Sequence, residues 1–433
     1  MENAPHLVIL SAAKDLNDKD KVNSERKIVS HYFSLWIHRS YDILTNQHYI
    51  TKEPMAMMKR LMAMVLALVL CLTMFVGCSK NEPVADDNTS VAAVIDYQAA
   101  FARYDPDTVV MTVDGVDVTW SEYFFMLYSS LSQVESYLGG IYWDEICLGD
   151  MTYDEYTLDM ALTMVKQLHS IEREAKELNV TLTDDELAAI ANSRETVKLQ
   201  NIGAEATDED LEQFLLNEIF LTVDLFNFVN ENSYLYDKLF VESMGETGEK
   251  ITDDQIAEFV EAVPYVSAKH ILIMTVNPET GEKLSDAVIQ ESKNTAEGLL
   301  AQLLEIKDVQ KRAKKFDQLM AEHTEDTGIQ IFPEGYTFTY NQMYPVFEEA
   351  AFALDEYEIS GIVESEAGYH IIMRVPTTRD SLVDYDATYG TFYSVLAYAS
   401  TELYSRMLSD WMAECEVEWK ADFAGITAKE LFE

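Results

Sequence analysis

The sequence predicts an α+β protein: a mainly helical domain built from N- and C-terminal segments, with an α+β module inserted between them. Three observations predict it. Residues 119–260 carry repeated helix-start signals and helical apolar spacing. At Pro264 the pattern changes to the order strand, long helix, short helix, strand, strand. After residue 377 the chain turns helical again and ends on strand-like alternation, so both ends are expected to share one domain.

Taken in order, residues 1–57 show no sustained period and read as a non-native extension ahead of a true start at Met58, Met55 or Met57. Residues 58–77 have the layout of an export signal. Lys59 and Arg60 are followed by the uncharged apolar run Leu61 to Val76, then Gly77 and Cys78. The segment resembles a bacterial lipoprotein signal, which implies lipidation of Cys78. Its box Phe75-Val76-Gly77-Cys78 departs from the usual pattern by having Phe where Leu is common. The alternative is an uncleaved membrane anchor, because the run is about long enough to span a bilayer. In either case the two cations stay inside and the rest of the chain lies outside the cytoplasm. Residues 78–106 are polar at first and then Ala-rich, as a tether would be.

The folded body opens with Val109 to Thr119, where apolar residues alternate around Asp114-Gly115, a hairpin signal. Thr119-x-x-Glu122, Thr152-x-x-Glu155, Thr183-x-x-Glu186 and Thr252-x-x-Gln255 then fit the capping box, in which the two side chains satisfy free backbone N–H groups. Leu158, Leu162, Val165 and Leu168 keep helical spacing, and Leu211 to Phe240 reads as helix. Val266 to Val276 is β-branched and apolar, so it predicts a strand. Residues 285–322 predict helix and Val346 to Leu354 a short one, followed by two strands around Glu364–Gly368, the second over Tyr369 to Val375. Ala387 to Ala413 predicts helix and Cys415 to Trp419 a strand that could share a sheet with the first hairpin. The expected divisions are thus 107–262 and 378–433 for the helical domain and 263–377 for the inserted module.

Composition limits the function. The chain has 433 residues, 31 Lys+Arg and 76 Asp+Glu, a formal net charge of −45. Residues 1–77 hold only 9 of the basic and 7 of the acidic residues, so the remainder is as acidic as the whole. Such a chain offers no general phosphate-neutralising surface and excludes non-specific nucleic-acid binding. No D-x-[DN]-x-[DN]-G calcium loop occurs. Beyond the signal, Cys147 and Cys415 remain besides Cys78; they either pair or stay as two isolated thiols.

Four motifs in residues 265–376 carry chemistry. They are Ala268-Lys269-His270-Ile271-Leu272-Ile273, Phe316–Leu319 leading to Glu325-Asp326, Phe347–Leu354, and Glu358–Gly361 leading to Gly368–Ile372. Together and in this order they resemble the parvulin-type peptidyl-prolyl isomerases. The overall layout is similar to PrsA/SurA-like extracytoplasmic foldases, in which a parvulin domain interrupts a helical chaperone domain.

That resemblance implies cis/trans isomerisation of X-Pro bonds. Amide rotation faces a barrier of about 18–20 kcal/mol. No bond breaks, so neither nucleophile, metal nor cofactor is needed; an apolar site with preset dipoles can favour the twisted amide over the planar one. By the resemblance, His270 and His370 form the paired histidines of neighbouring strands, Asp326 faces the amide, Ser365 supplies a hydroxyl beside the histidines, and Met343 and Phe347 line the proline pocket. Each has a plainer alternative: satisfied core histidines, a turn-capping Asp, ordinary apolar packing. His169 and His323 receive no role. The stretch Thr327–Gly335 departs from the Gly-Gly loop of many parvulins, which puts loop shape and activity in doubt. Lys283 stands almost alone after His270, and phosphate recognition needs a cluster of cations, so selectivity for phosphorylated Ser/Thr-Pro is not expected.

The implied partners are unfolded or folding exported polypeptides, with the membrane reached through the lipid anchor at its extracytoplasmic face. The rival reading is a holdase whose parvulin-like domain binds chains without isomerising them. A solute-binding lipoprotein would need two α/β lobes, against the long helical stretch at 119–260.

Overall fold

The computed structural model describes residues 92–386 and 391–433. The export-signal segment, Cys78 and the extension at 1–57 lie outside the described residues. In chain order the elements are α1 (Tyr97–Phe101), β1 (Val109–Val113), β2 (Val116–Thr119), α2 (Trp120–Leu138), β3 (Ile146–Leu148), β4 (Met151–Thr152), α3 (Tyr153–Glu177), α4 (Asp184–Asn201), α5 (Asp208–Ile219), α6 (Val223–Met244) and α7 (Asp253–Ala262). Then follow β5 (Val266–Met274), α8 (Asp286–Leu304), α9 (Val309–His323), a 3-10 turn (Thr327–Gln330), β6 (Tyr336–Phe338), α10 (Pro345–Ala353), β7 (Ile359–Glu364) and β8 (Gly368–Val375). The chain ends with β9 (Leu382–Asp386), β10 (Thr391–Ser394), α11 (Val395–Ala413), β11 (Val417–Trp419) and α12 (Ala428–Phe432).

These form two compact units, one from the described residues up to Leu239 plus Leu408–Glu433, the other from Phe240–Met407. The expected module boundaries, 263–377, fall inside the second unit. In the first unit the Asp114-Gly115 turn has φ of 52° and 78°, the left-handed pair that matches strand twist. Asp114 also accepts from the Arg173 guanidinium at 2.7 Å and from the Glu416 backbone at 2.8 Å, so the turn residue holds the C-terminal segment. The sheet order is β11-β1-β2, with Met111 opposite Trp419. The chain's end does complete the sheet begun by the hairpin. Beneath it, α2 and α3 bury Trp120, Tyr123, Phe124, Leu127, Ala161 and Val165. Reciprocal capping boxes start α3, α4 and α7 at Thr152, Thr183 and Thr252. Thr119 caps α2 only one way, because Glu122 turns instead to buried His169 at 2.8 Å.

Four expectations need correction. The 211–240 helix breaks at Phe220, which adopts φ 61° and buries its ring against Tyr97, Phe101, Phe124 and Tyr128. Aromatic burial there outweighs a continuous helix. The 285–322 helix is two, because Asp308 caps a new start by accepting from Lys311 N–H at 2.9 Å. Residues 387–413 are not all helix: β9 and β10 pair first, and the run Thr391-Phe392-Tyr393 is β-branched and aromatic. The end of the 78–106 stretch is not spacer either, since α1 is capped by Asp96 and buries Ala100. Cys147 and Cys415 are both free thiols.

In the second unit the sheet order is β6-β5-β8-β7, all antiparallel. Strand alternation gives each side its own cover. Ile271, Ile273, Tyr369, Ile371 and Met373 pack under α8 and α9 with Leu299, Leu303, Phe316 and Leu319. Val266, Ala268 and Ile372 face the other way, against Phe338 and the α10 residues Phe347 and Ala351. His270 and His370 belong by alternation to this second face.

Candidate active site on the α10 face of the sheet

Register brings the histidines together. His270 lies opposite Ile372 and His370 opposite Leu272, so the two imidazoles are diagonal neighbours on adjacent strands. Their ring centres are 5.3 Å apart. Phe347 meets both edge-on at 5.1 and 5.3 Å, and it is 3% exposed. Met343 is half-buried and packs on the same apolar cluster. Phe352 stacks on Tyr340 at 4.3 Å, next to Phe338.

Burial dominates the electrostatics here. It lowers the His270 pKa below the usual histidine value, with Asp326 opposing the shift. His370 is pushed down to about 3 by burial and then by His270, again with Asp326 opposing. Both rings are therefore neutral near pH 7, each with one donor and one acceptor nitrogen. His370 Nε2 is 2.7 Å from the Ser365 hydroxyl, which also accepts from Ala367 N–H at 3.1 Å. Neither ring nitrogen of His270, nor Nδ1 of His370, has a hydrogen-bond partner. His270 Nε2 lies 3.4 Å from Asp326 Oδ2, close enough for attraction but without hydrogen-bond alignment.

Asp326 caps the 3-10 turn, with Oδ1 accepting from Gly328 N–H at 3.0 Å. Oδ2 accepts from the Tyr336 hydroxyl at 2.6 Å. A Cβ on Gly328 would collide with that hydroxyl, so the contact requires glycine there. Burial and the Asp326 carboxylate both raise the Tyr336 pKa, which keeps its proton in place. Tyr336 also stacks on His270 at 5.7 Å. The sequence gives little sign of Tyr336: it lies in a three-residue edge strand whose pattern says nothing of Asp326.

All six predicted module residues thus fall in one place: His270, His370, Asp326 and Ser365 as a polar cluster, with buried Phe347 and half-buried Met343 as the apolar packing beside it. His169 lies in the other unit, paired with Glu122, and His323 ends α9. Among the described residues, no group of three or more His, Cys, Asp or Glu could hold a metal ion.

Residues 270–375 match the family model described as Rotamase, PPIC-type PPIASE domain. The chain is 34% identical over 111 residues to the peptidyl-prolyl cis-trans isomerase Pin1 of Malus domestica, covering 92% of that protein and 25% of this one. The chain belongs to the PPIC-type peptidyl-prolyl isomerases. This parvulin-type isomerase extends well beyond that module. It is 27% identical over 349 residues to the foldase protein PrsA of Caldanaerobacter subterraneus subsp. tengcongensis, covering 78% of this chain and 89% of that one. A foldase protein PrsA of Halalkalibacterium halodurans is 28% identical over 273 residues, 62% of this chain and 71% of that one. The isomerase module therefore sits in a chain similar to foldases over most of its length.

Proposed function

We propose that this isomerase is a foldase for exported polypeptides, acting outside the cytoplasm and held to the membrane by a lipid on Cys78. The export-signal layout at 58–78 supports the location, and similarity to PrsA foldases over most of the chain supports the clients. Among the described residues no helix is long and apolar enough to cross a membrane. Residues 107–262 and 378–433 would cradle unfolded chains while 263–377 isomerises them.

The observation that carries the catalytic reading is the Asp326 carboxylate 3.4 Å from His270, one of two neutral, buried imidazoles that both meet the Phe347 ring edge-on. In a planar amide the nitrogen lone pair is delocalised and the carbonyl oxygen carries extra negative charge. Twisting returns that pair to nitrogen. A carboxylate beside the carbonyl oxygen penalises the planar state more than the twisted one. At a separation of about 4 Å and an effective dielectric near 20, two unit charges interact by ~4 kcal/mol, so a quarter-charge difference is worth about 1 kcal/mol. Phe347 and Met343 would seat the prolyl ring in apolar surroundings. Ser365, held by Ala367 N–H, lies 2.7 Å from His370 Nε2 and fixes that ring's orientation. The histidines thus act as fixed dipoles rather than acids or bases.

The test is NMR exchange on an unphosphorylated X-Pro peptide with the purified protein and Asp326→Asn. The parent should accelerate isomerisation, and the variant should lose roughly fivefold in kcat/KM, as a loss of about 1 kcal/mol requires. A folded parent without acceleration would instead favour the holdase reading.

A further inference from the structure

Beside the isomerase cluster a file of rings leads outward. Phe332 lies 5.2 Å from Tyr336, Phe392 lies 6.4 Å from Phe332, and Tyr385 lies 4.5 Å from Phe392. With the Tyr336–His270 stack at 5.7 Å, the file is continuous from a paired histidine to the β9–β10 hairpin. Exposure rises along it: the His270 side chain is 9% exposed, Phe332 and Tyr336 are half-buried, and Phe392 is 45% exposed. Ile331, 39% exposed, precedes Phe332. Single exposed apolar side chains are ordinary, but a contiguous strip that reaches a binding site is a surface waiting for apolar cover.

The chain builds this strip in three ways. Residues 331–335 belong to the stretch Thr327–Gly335 that departs from the Gly-Gly loop of many parvulins. Gly335, at φ +99°, lets this stretch press on β5, since a Cβ there would meet the Ala268 carbonyl oxygen at 2.6 Å. Lys269 fixes the same stretch by donating to Glu334 at 3.1 Å. The hairpin then presents Phe392 directly opposite Tyr385 in register.

We infer that the strip extends the substrate site and takes an aromatic or large aliphatic side chain of the client polypeptide, within about five residues of the isomerised proline. The inference rests on the isomerase reading of the His270 cluster. A polypeptide with its X-Pro bond there must continue over the neighbouring surface, and this strip is an apolar part of it. Ring steps of 5.7, 5.2 and 6.4 Å span no more than about five residues of extended chain at ~3.3 Å each. Glu334, with a 90% exposed side chain, and exposed Asp384 flank the strip, so a neutral or basic segment fits it and an acidic one does not. Aromatic side chains make the best anchors in such a place, large in area and with few torsions to freeze.

The test uses neutral X-Pro peptides in which one Phe replaces Ala at each position from two to five residues on either side of the proline. Isomerisation is followed by NMR exchange, and binding by peptide-induced shifts of backbone amides. The parent, Phe392→Ser and Ile331→Ser are compared. At one position or more, Phe should improve kcat/KM or Kd at least threefold in the parent, with shifts on β9 and β10. Either substitution should reduce that gain while the all-Ala peptide is turned over as before. No preference at any position, or a preference that survives both substitutions, overturns the inference. So does a parent self-association that Phe392→Ser abolishes without changing peptide preference. If no peptide is isomerised but the Phe peptide still binds through Phe392, the isomerase reading fails and the strip stands; equal turnover and binding of all peptides does the reverse.

Discussion

Lowering the pH from 7 to 5 should loosen the isomerase sheet, and His370 sets the size of the effect. Burial, reinforced by His270, pushes this ring down to about 3 in the folded chain. In the unfolded chain it titrates near 6.5. The unfolded state therefore binds more protons below 6.5, and stability falls as the pH drops from there toward about 3. Above 6.5 the contribution is fully present. With those two values, protonation of the unfolded chain favours opening by about 2 kcal/mol more at pH 5 than at pH 7. His270 is displaced in the same direction, mainly by burial. The groups against His370 are His270, Phe347, Ser365 and, more distantly, Asp326. The assay is amide hydrogen exchange of Ile371 and Ile372 at both pH values, corrected for intrinsic rates, in the parent and in His370→Asn. Local exchange avoids treating two compact units as one transition. The parent should lose about 2 kcal/mol of protection more than the variant. An equal loss in both would refute the reasoning, because carboxylates common to the two proteins would then account for it.

Tyr336→Phe keeps the ring on His270 and removes the donor to Asp326. A hydrogen bond to a charged group is worth roughly 1.5–3 kcal/mol, and water reaches this partly open carboxylate, so a net loss of about 1 kcal/mol should appear as a roughly fivefold drop in kcat/KM, read by NMR exchange. Gly328→Ala should reproduce that drop or exceed it in the same assay, since the new methyl displaces the Tyr336 hydroxyl from Asp326. Phe220→Ala should destabilise the first unit by about 3–5 kcal/mol in urea unfolding, because it removes a buried ring from a five-membered aromatic cluster.

What was legible in the sequence was local. Asp114-Gly115 dictates its turn through backbone sterics, and Thr152, Thr183 and Thr252 mark helix starts because the N–H groups they satisfy are four residues away or fewer. The histidine pair was legible through its motifs, and strand register explains why those motifs work: two residues of offset on adjacent strands leave both imidazoles on one face. What escaped was decided by distant partners. The break at Phe220 depends on rings from residues 97 to 128, and Glu122 gives up its capping role for His169, 47 positions away. The β9–β10 hairpin was hidden because its aromatic residues fit a helix pattern as well as a strand.

The stretch Thr327–Gly335 departs from the Gly-Gly loop of many parvulins, and it helps to set the geometry around Asp326. A catalyst that breaks no bond gains mainly from charge fixed in advance of the twisted state. Asp326 is fixed twice, by Gly328 N–H on one oxygen and the Tyr336 hydroxyl on the other. Gly328 belongs to the stretch that departs from the family pattern, and Tyr336 follows directly after it. The same stretch carries Phe332 to the surface. A loop that looked in sequence like the loss of a family feature thus holds the carboxylate, lets Tyr336 stack on the neutral imidazole and begins the apolar path by which a client chain would leave the site.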